Sequence, residues 1–297
     1  MMLLRELVSA GEDTVSRQYP EREARNMVFS LLEYILGTKR YTHIVEPGYE
    51  VSDEKCRIVL DAFSRLGAGE PLQYVTGQAW FYGRPFRVTP DVLIPRPETE
   101  LLCRMALEKA SGKWESLKIL DLCTGSGCIA WTMALELPGS RVYAADISEA
   151  ALDVASAQNF SSESEAAPLF FKADVLSEDL RRQMLGTQFD IPSEFDIILS
   201  NPPYVKDSEK ALMRSNVLDY EPSIALFVPD DDPLVFYRAL ASHASSLLSE
   251  DGFGIVEINE SLGPETESVF VQAGFSCTEV LQDLSSRPRF VFFSRNK

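Results

Sequence analysis

Three features of the sequence predict an α/β fold, a doubly wound and mainly parallel sheet preceded by a small helical domain. Short apolar runs alternate with helical stretches from about residue 98 onward, and a Gly-rich turn closes the first of those runs. The first 78 residues instead repeat their apolar positions every three or four residues, the spacing of a helix face.

In that first part, Ala24, Met27, Val28, Leu31, Leu32 and Ile35 follow Pro20 at helical spacing, and Gly37 stands where a C-cap is expected. A second helix is expected from Ser52, an N-cap residue type, through Ile58, Val59, Ala62, Phe63 and Leu66 to Gly67. Residues 1–78 therefore read as a helical bundle. Next, Trp80 to Val88 contains two short aromatic and β-branched runs around Gly83, which predicts a hairpin. The Pro-rich stretch Val92 to Pro97 is expected to be extended. Residues 79–97 are thus read as a linker and 98–297 as the α/β domain.

Five strands are expected in that domain. They are Lys118–Leu122, Arg141–Asp146, Leu169–Asp174, Phe195–Ser200 and Gly254–Ile258, with a helix from Leu234 to Leu248. A last strand pair is expected at Cys277–Leu281 and Phe290–Phe293, around a turn at Ser285 to Pro288. Residues 161–167 read as a polar loop.

Composition narrows the function. A formal net charge of −17 disfavours phosphate backbones, so a nucleic acid is not the expected main partner. The five cysteines form no C-x-x-C pair, and neither histidine, His43 or His243, has a nearby Cys or carboxylate pattern. No metal is expected, and the thiols read as reduced, buried small hydrophobes. The N-terminal segment lacks a basic region with a long apolar run, and no stretch approaches the roughly 20 apolar residues of a membrane span, so a cytoplasmic location is expected.

Two motifs carry chemistry. The turn Asp121-Leu-Cys-Thr-Gly-Ser-Gly-Cys-Ile-Ala130 has glycines at 125 and 127, which allow a sharp turn and close approach to a ligand. Asp146 ends the next strand about 20 residues on, where a carboxylate can grip ribose hydroxyls. This pattern also fits a dinucleotide site. Acids at the ends of three successive strands, Asp121, Asp146 and Asp174, favour a ligand carrying a sulfonium and an ammonium, S-adenosyl-L-methionine, over a pyrophosphate such as that of NAD.

The second motif, Asn201-Pro202-Pro203-Tyr204, ends the fourth strand. Neither proline has an N–H, so the turn presents acceptors: the Asn201 side-chain oxygen and neighbouring carbonyls. Two acceptors can hold both hydrogens of an –NH2 group and aim its lone pair at an incoming methyl, while Tyr204 offers a flat face for stacking. Asn201 and Pro202 are the expected catalytic residues, and Asn201 to Tyr204 the expected substrate site. Proton loss is assigned to water or the Asn201 surroundings.

With these residues in view the chain resembles the release-factor glutamine methyltransferase family. The resemblance runs over nearly its whole length. It rests on Glu70 to Gly77, Ile94 to Glu100, the Gly-rich turn, Asn201 to Val205, and Glu221-Pro222. It implies a class I methyltransferase domain behind a helical domain that helps engage the substrate protein. It also implies methylation of N5 of the glutamine in the Gly-Gly-Gln motif of peptide chain release factors, using S-adenosyl-L-methionine. By motif, Cys123, Thr124, Gly125, Ser126, Gly127, Asp146, Asp174 and Val175 are implied to line the cofactor site together with Asn201. Two positions depart from the family pattern. Cys123 stands where glycine is common, so its backbone is expected to avoid a glycine-only conformation, and Val175 stands where an aromatic is common. The alternative acceptors are a ribosomal-protein glutamine and, less favoured by the acidic charge, the N6 of adenine in DNA; Arg96 to Thr99 favours the release-factor branch.

Overall fold

The repeat after Pro20 forms the helix Glu21–Leu36, which ends on Gly37 in the left-handed conformation with its N–H on Glu33. Ser52 caps the helix Asp53–Gly67 by accepting from the Lys55 N–H. With the helix Leu4–Val15 they bury one core, centred on Leu7, Val28, Leu32, Phe63 and Leu66. Each such side chain contributes about 1.5–3 kcal/mol by leaving water. Ile58 does not join them: it is 51% exposed, because its place one residue before Val59 turns it off the buried stripe. The computed structural model describes residues 1–112, 116–160 and 167–296; the polar loop expected at 161–167 therefore lies, but for Ala167, outside the described residues.

Two compact units account for the chain. One comprises Met1–Gln78 with the short segment Arg214–Tyr220, and the other Ala79–Met213 with Glu221–Lys297. Within the first, Arg214 pairs with Glu23 at 3.1 Å and the Tyr220 hydroxyl donates to the Ala68 carbonyl at 3.1 Å.

The second unit is built on a seven-stranded sheet. Its strands in chain order are β1 (Lys118–Leu122), β2 (Arg141–Asp146), β3 (Leu169–Lys172), β4 (Phe195–Ser200), β5 (Leu248–Glu257), β6 (Cys277–Gln282) and β7 (Pro288–Ser294). The spatial order is β6-β7-β5-β4-β1-β2-β3. β7 is antiparallel to both neighbours, and the pairs from β5 across to β3 are parallel. Four strands differ in extent from expectation, β6 reaching Gln282 and β7 spanning Pro288–Ser294. β3 stops at Lys172, which leaves Asp174 in the turn beyond it, and β5 begins at Leu248, six residues early.

Both faces of the sheet are covered, as a parallel sheet requires. Leu120, Leu122, Tyr143, Ala145 and Val256 belong to one core, whereas Ile119, Val142, Ala144 and Ile255 belong to the other. The alternation along each strand is the two-residue period of a pleated backbone. Chain order reverses beside β1, between β4 and β2, and the C-terminal ends of those strands open a crevice there.

The hairpin strands Gln78–Phe81 and Arg84–Arg87 turn through Tyr82 and Gly83, both at positive φ. Glu100 accepts from the Tyr82 N–H at 2.9 Å. Gln158 meets both backbone groups of Arg87, at 2.8 and 2.9 Å, and reaches the Ser126 carbonyl at 3.1 Å. One amide thus ties the hairpin to the Gly-rich turn. Among the described residues no helix is long and apolar enough to cross a membrane, and all five cysteines are free, Cys56, Cys103 and Cys128 being buried.

Candidate active site

The turn between β1 and the helix Cys128–Glu136 shapes one wall of the crevice. Cys123, Gly125 and Gly127 all have positive φ, +62°, +54° and +78°. For Cys123 this corrects the expectation that its backbone would stay clear of a conformation favouring glycine. It takes up the left-handed region at a cost of about 1–2 kcal/mol. The bend brings the Thr124 N–H onto the Ala145 carbonyl at 3.0 Å, locking the turn to β2. The two glycines differ in use. A Cβ on Gly125 would meet nothing within 4 Å, so this position faces the open crevice. A Cβ on Gly127 would stand 3.0 Å from the Ala155 methyl and 3.2 Å from the Phe170 ring. Gly127 therefore serves close packing and does not line the cavity.

The three acids of the sequence pattern also separate. Asp146 lies on the cavity, with one oxygen accepting from the Gly125 N–H at 2.8 Å and the other from Ser148 at 3.0 Å. Burial raises its pKa above the usual carboxylate range, and those backbone bonds pull it back down. Asp174 also lines the cavity, accepting from the Leu176 N–H at 2.9 Å in a tight turn. Asp121 does not. It is fully buried, one oxygen taking the Thr124 hydroxyl at 2.5 Å and the other lacking a geometrically complete hydrogen bond. Burial raises its pKa to about 7, against the pull of the Thr124 hydroxyl and the Ala130 N–H.

Cys123, Thr124, Gly125, Ser126, Asp146, Asp174, Val175, Asn201 and Pro203 line one cavity at the ends of β1 to β4. Val175 presents an aliphatic surface, and its carbonyl lies 2.9 Å from Nε2 of His243. Burial lowers the pKa of that histidine, which fits a neutral ring donating to the carbonyl. His43 stacks on Phe29 in the other unit, centroids 5.3 Å apart.

The Asn201 turn is arranged differently from the sequence expectation. Pro202 is buried and does not line the cavity; Tyr204 does not line it either. The Tyr204 hydroxyl donates to Glu257 Oε1 at 2.9 Å, and the ring packs against the core. Burial pushes the phenol well above its usual range. Asn201 Nδ2 donates to the Thr99 hydroxyl oxygen at 3.0 Å, and that hydroxyl donates to Glu257 Oε2 at 2.8 Å. Glu257 itself is buried, which raises its pKa, while Thr99, Tyr204 and Arg289 stabilise its charged form.

Neither Thr99 nor Glu257 could be assigned a site role from the sequence. Thr99 falls in the stretch that resembles the family, and Glu257 reads only as the end of an apolar strand. Arg96 lines the cavity and pairs with Glu221 at 2.7 Å, and the second Glu221 oxygen accepts from the Ile94 N–H at 3.2 Å. The motif residues Ile94 and Arg96 thus form one clamp with Glu221, which lies 127 and 125 positions further along the chain. Phe236, at the start of the helix Val235–Leu247, adds an apolar wall.

Comparison with known proteins matches the Methyltransferase small domain family to residues 98–218 and the PrmC N-terminal domain family to residues 6–77. A release factor glutamine methyltransferase of Flavobacterium psychrophilum is 34% identical over 292 residues, covering 98% of each chain. One from Bacteroides thetaiotaomicron is 38% identical over 277 residues, covering 93% of this chain and 95% of its own. Among solved structures, the T. thermophilus 16S rRNA N2 G1207 methyltransferase in complex with AdoMet and guanosine has a TM-score of 0.51 at 17% identity. It covers 74% of this chain and 50% of that one. At that identity the likeness is one of fold.

Proposed function

The chain belongs to the release factor glutamine methyltransferase family, and on that premise we propose that it methylates N5 of the glutamine in the Gly-Gly-Gln loop of peptide chain release factors, using S-adenosyl-L-methionine. The observation that carries this reading is the placement of Asn201. Its Nδ2 is spent on Thr99, so Oδ1 is left to accept from a group in the cavity.

The residues present fit the cofactor. Gly125 leaves open space where a side chain would intrude, and Asp146 and Asp174 bring carboxylates to the same cavity. Each Asp146 oxygen accepts one backbone N–H, which leaves lone pairs for ribose hydroxyls. Asp174 would accept from the adenine amino group, with Val175 against the ring. The bound cofactor supplies a methyl group on a sulfonium centre.

The chain's own part is to hold and polarise the amide. An amide nitrogen is a poor nucleophile because its lone pair is delocalised. Asn201 Oδ1 accepts one of the two N–H groups, and electron density then gathers on nitrogen as positive charge develops there. Fixing the nucleophile in line with the methyl contributes further, because oriented reactants can gain about 7–11 kcal/mol. Tyr204 contributes through Glu257 rather than by stacking. Residues 6–77, the family's N-terminal domain, would engage the factor.

Methyl transfer to purified release factor tests the proposal, with Asn201→Ala as the control. The wild type should label the factor, and the variant should lose about 10²–10³-fold in turnover while cofactor affinity holds. Label on duplex DNA with none on the factor would overturn it.

A further inference from the structure

Asparagine can face the cavity with either end of its carboxamide, and only one end accepts hydrogen bonds. Resting on the role proposed above for Asn201, the geometry points to Glu257, acting through Thr99, as the positioning residue that decides which end faces the substrate amide. The decision follows from counting protons. Glu257 accepts two hydroxyl protons, from Thr99 at 2.8 Å and Tyr204 at 2.9 Å, one on each oxygen. Thr99 has one hydroxyl proton, and it is committed to the carboxylate. Its oxygen can then only accept, so Asn201 must turn Nδ2 toward it, as the 3.0 Å contact records. The flipped carboxamide would set Oδ1 against an oxygen with no proton to give.

The three residues come from distant parts of the chain and cannot easily drift. Thr99 sits in the first turn of the helix Pro97–Ala110, Asn201 just after β4, and Glu257 at the end of β5. Glu257 is 1% exposed and Thr99 2%, so water does not compete for these bonds. Tyr204 holds the second carboxylate oxygen and thereby keeps the first aimed at Thr99. Arg289 lies close enough to favour the ionised carboxylate, and Glu98 opposes it. An ionised Glu257 keeps the relay pointing one way; a protonated one could donate to Thr99 and release the Thr99 proton toward Asn201.

Four variants test this. Thr99→Val keeps the shape and removes the acceptor, Thr99→Ser keeps the hydroxyl, Glu257→Gln removes the charge, and Glu257→Gln with Thr99→Val closes the cycle. Thr99→Val should lower kcat toward release factor by about 10²-fold, with the KM for S-adenosyl-L-methionine unchanged. Thr99→Ser should turn over near wild type, and the double variant should be no slower than Thr99→Val alone. The side-chain ¹H–¹⁵N resonances of Asn201, assigned by their loss in Asn201→Ala, should move in Thr99→Val and Glu257→Gln but hold in Thr99→Ser. If Thr99→Val turns over like wild type while Asn201→Ala is inactive, the positioning role fails and the site assignment stands. Additive losses in the cycle, or equal losses in Thr99→Val and Thr99→Ser, would also overturn it. If Asn201→Ala itself stays active, the site assignment fails first.

Discussion

At Asp121 a carboxylate is enclosed in the β1 turn with one oxygen short of a partner, and its pKa rises to about 7 from an ordinary 3.8. For an acid raised on folding, the stabilising contribution is full below the unfolded value. It is lost as pH climbs from about 4 through 7, because the unfolded chain sheds its proton first. Asp121→Asn should therefore flatten the stability curve across that window. At pH 8 it should be the more stable protein by on the order of a few kcal/mol, and urea titrations at pH 5 and 8 would show it. A parallel curve for the variant would mean that the carboxylate is not held protonated. Two residues on, Cys123 sits at φ +62°. Cys123→Gly should leave stability unchanged or raise it by up to about 1 kcal/mol, since relief of strain is offset by glycine's greater unfolded-state entropy. Cys123→Val should cost more than about 1 kcal/mol, because a β-branched residue resists that region. Thermal melts of the pair would check both.

The element that positions the cofactor wall is the turn between β1 and the helix Cys128–Glu136, and its two glycines should fail differently. Gly127→Ala places a methyl 3.0 Å from Ala155 and should destabilise by about 1–3 kcal/mol. Gly125→Ala meets no atom, so its effect on stability should be confined to strain at φ +54°, while its methyl enters the space proposed for the cofactor. Melting temperature should fall most for the first, and S-adenosyl-L-methionine affinity by calorimetry most for the second. The turn was legible in the sequence because glycine spacing and a following acid constrain the local backbone directly. The sheet was legible for a similar reason: each strand buried on both faces appears as a continuous apolar run. What the sequence hid is what depends on distant pairing. Asp121 and Asp146 look alike as strand-end acids, yet one is sealed under Thr124 and the other opens on the cavity. Tyr204 reads as a stacking platform, yet Glu257, 53 positions away, claims its hydroxyl. Glu257 gave no local signal at all, since its role comes from β5 delivering it beneath Thr99.

At the scale of the molecule, the chain joins a helical unit with its own core to a sheet unit that holds the whole candidate site. The net charge of −17 disfavours a bare phosphate backbone as the main partner. In the function proposed for it, the Asn201 turn directs a methyl group to one particular amide. The most direct test is peptide mass mapping of purified release factor after incubation with this protein and S-adenosyl-L-methionine. One added methyl is expected, on the glutamine of the Gly-Gly-Gln loop, and none when that glutamine is replaced by glutamate. A methyl elsewhere on the factor, or an unmodified loop under conditions where another acceptor is methylated, would contradict it.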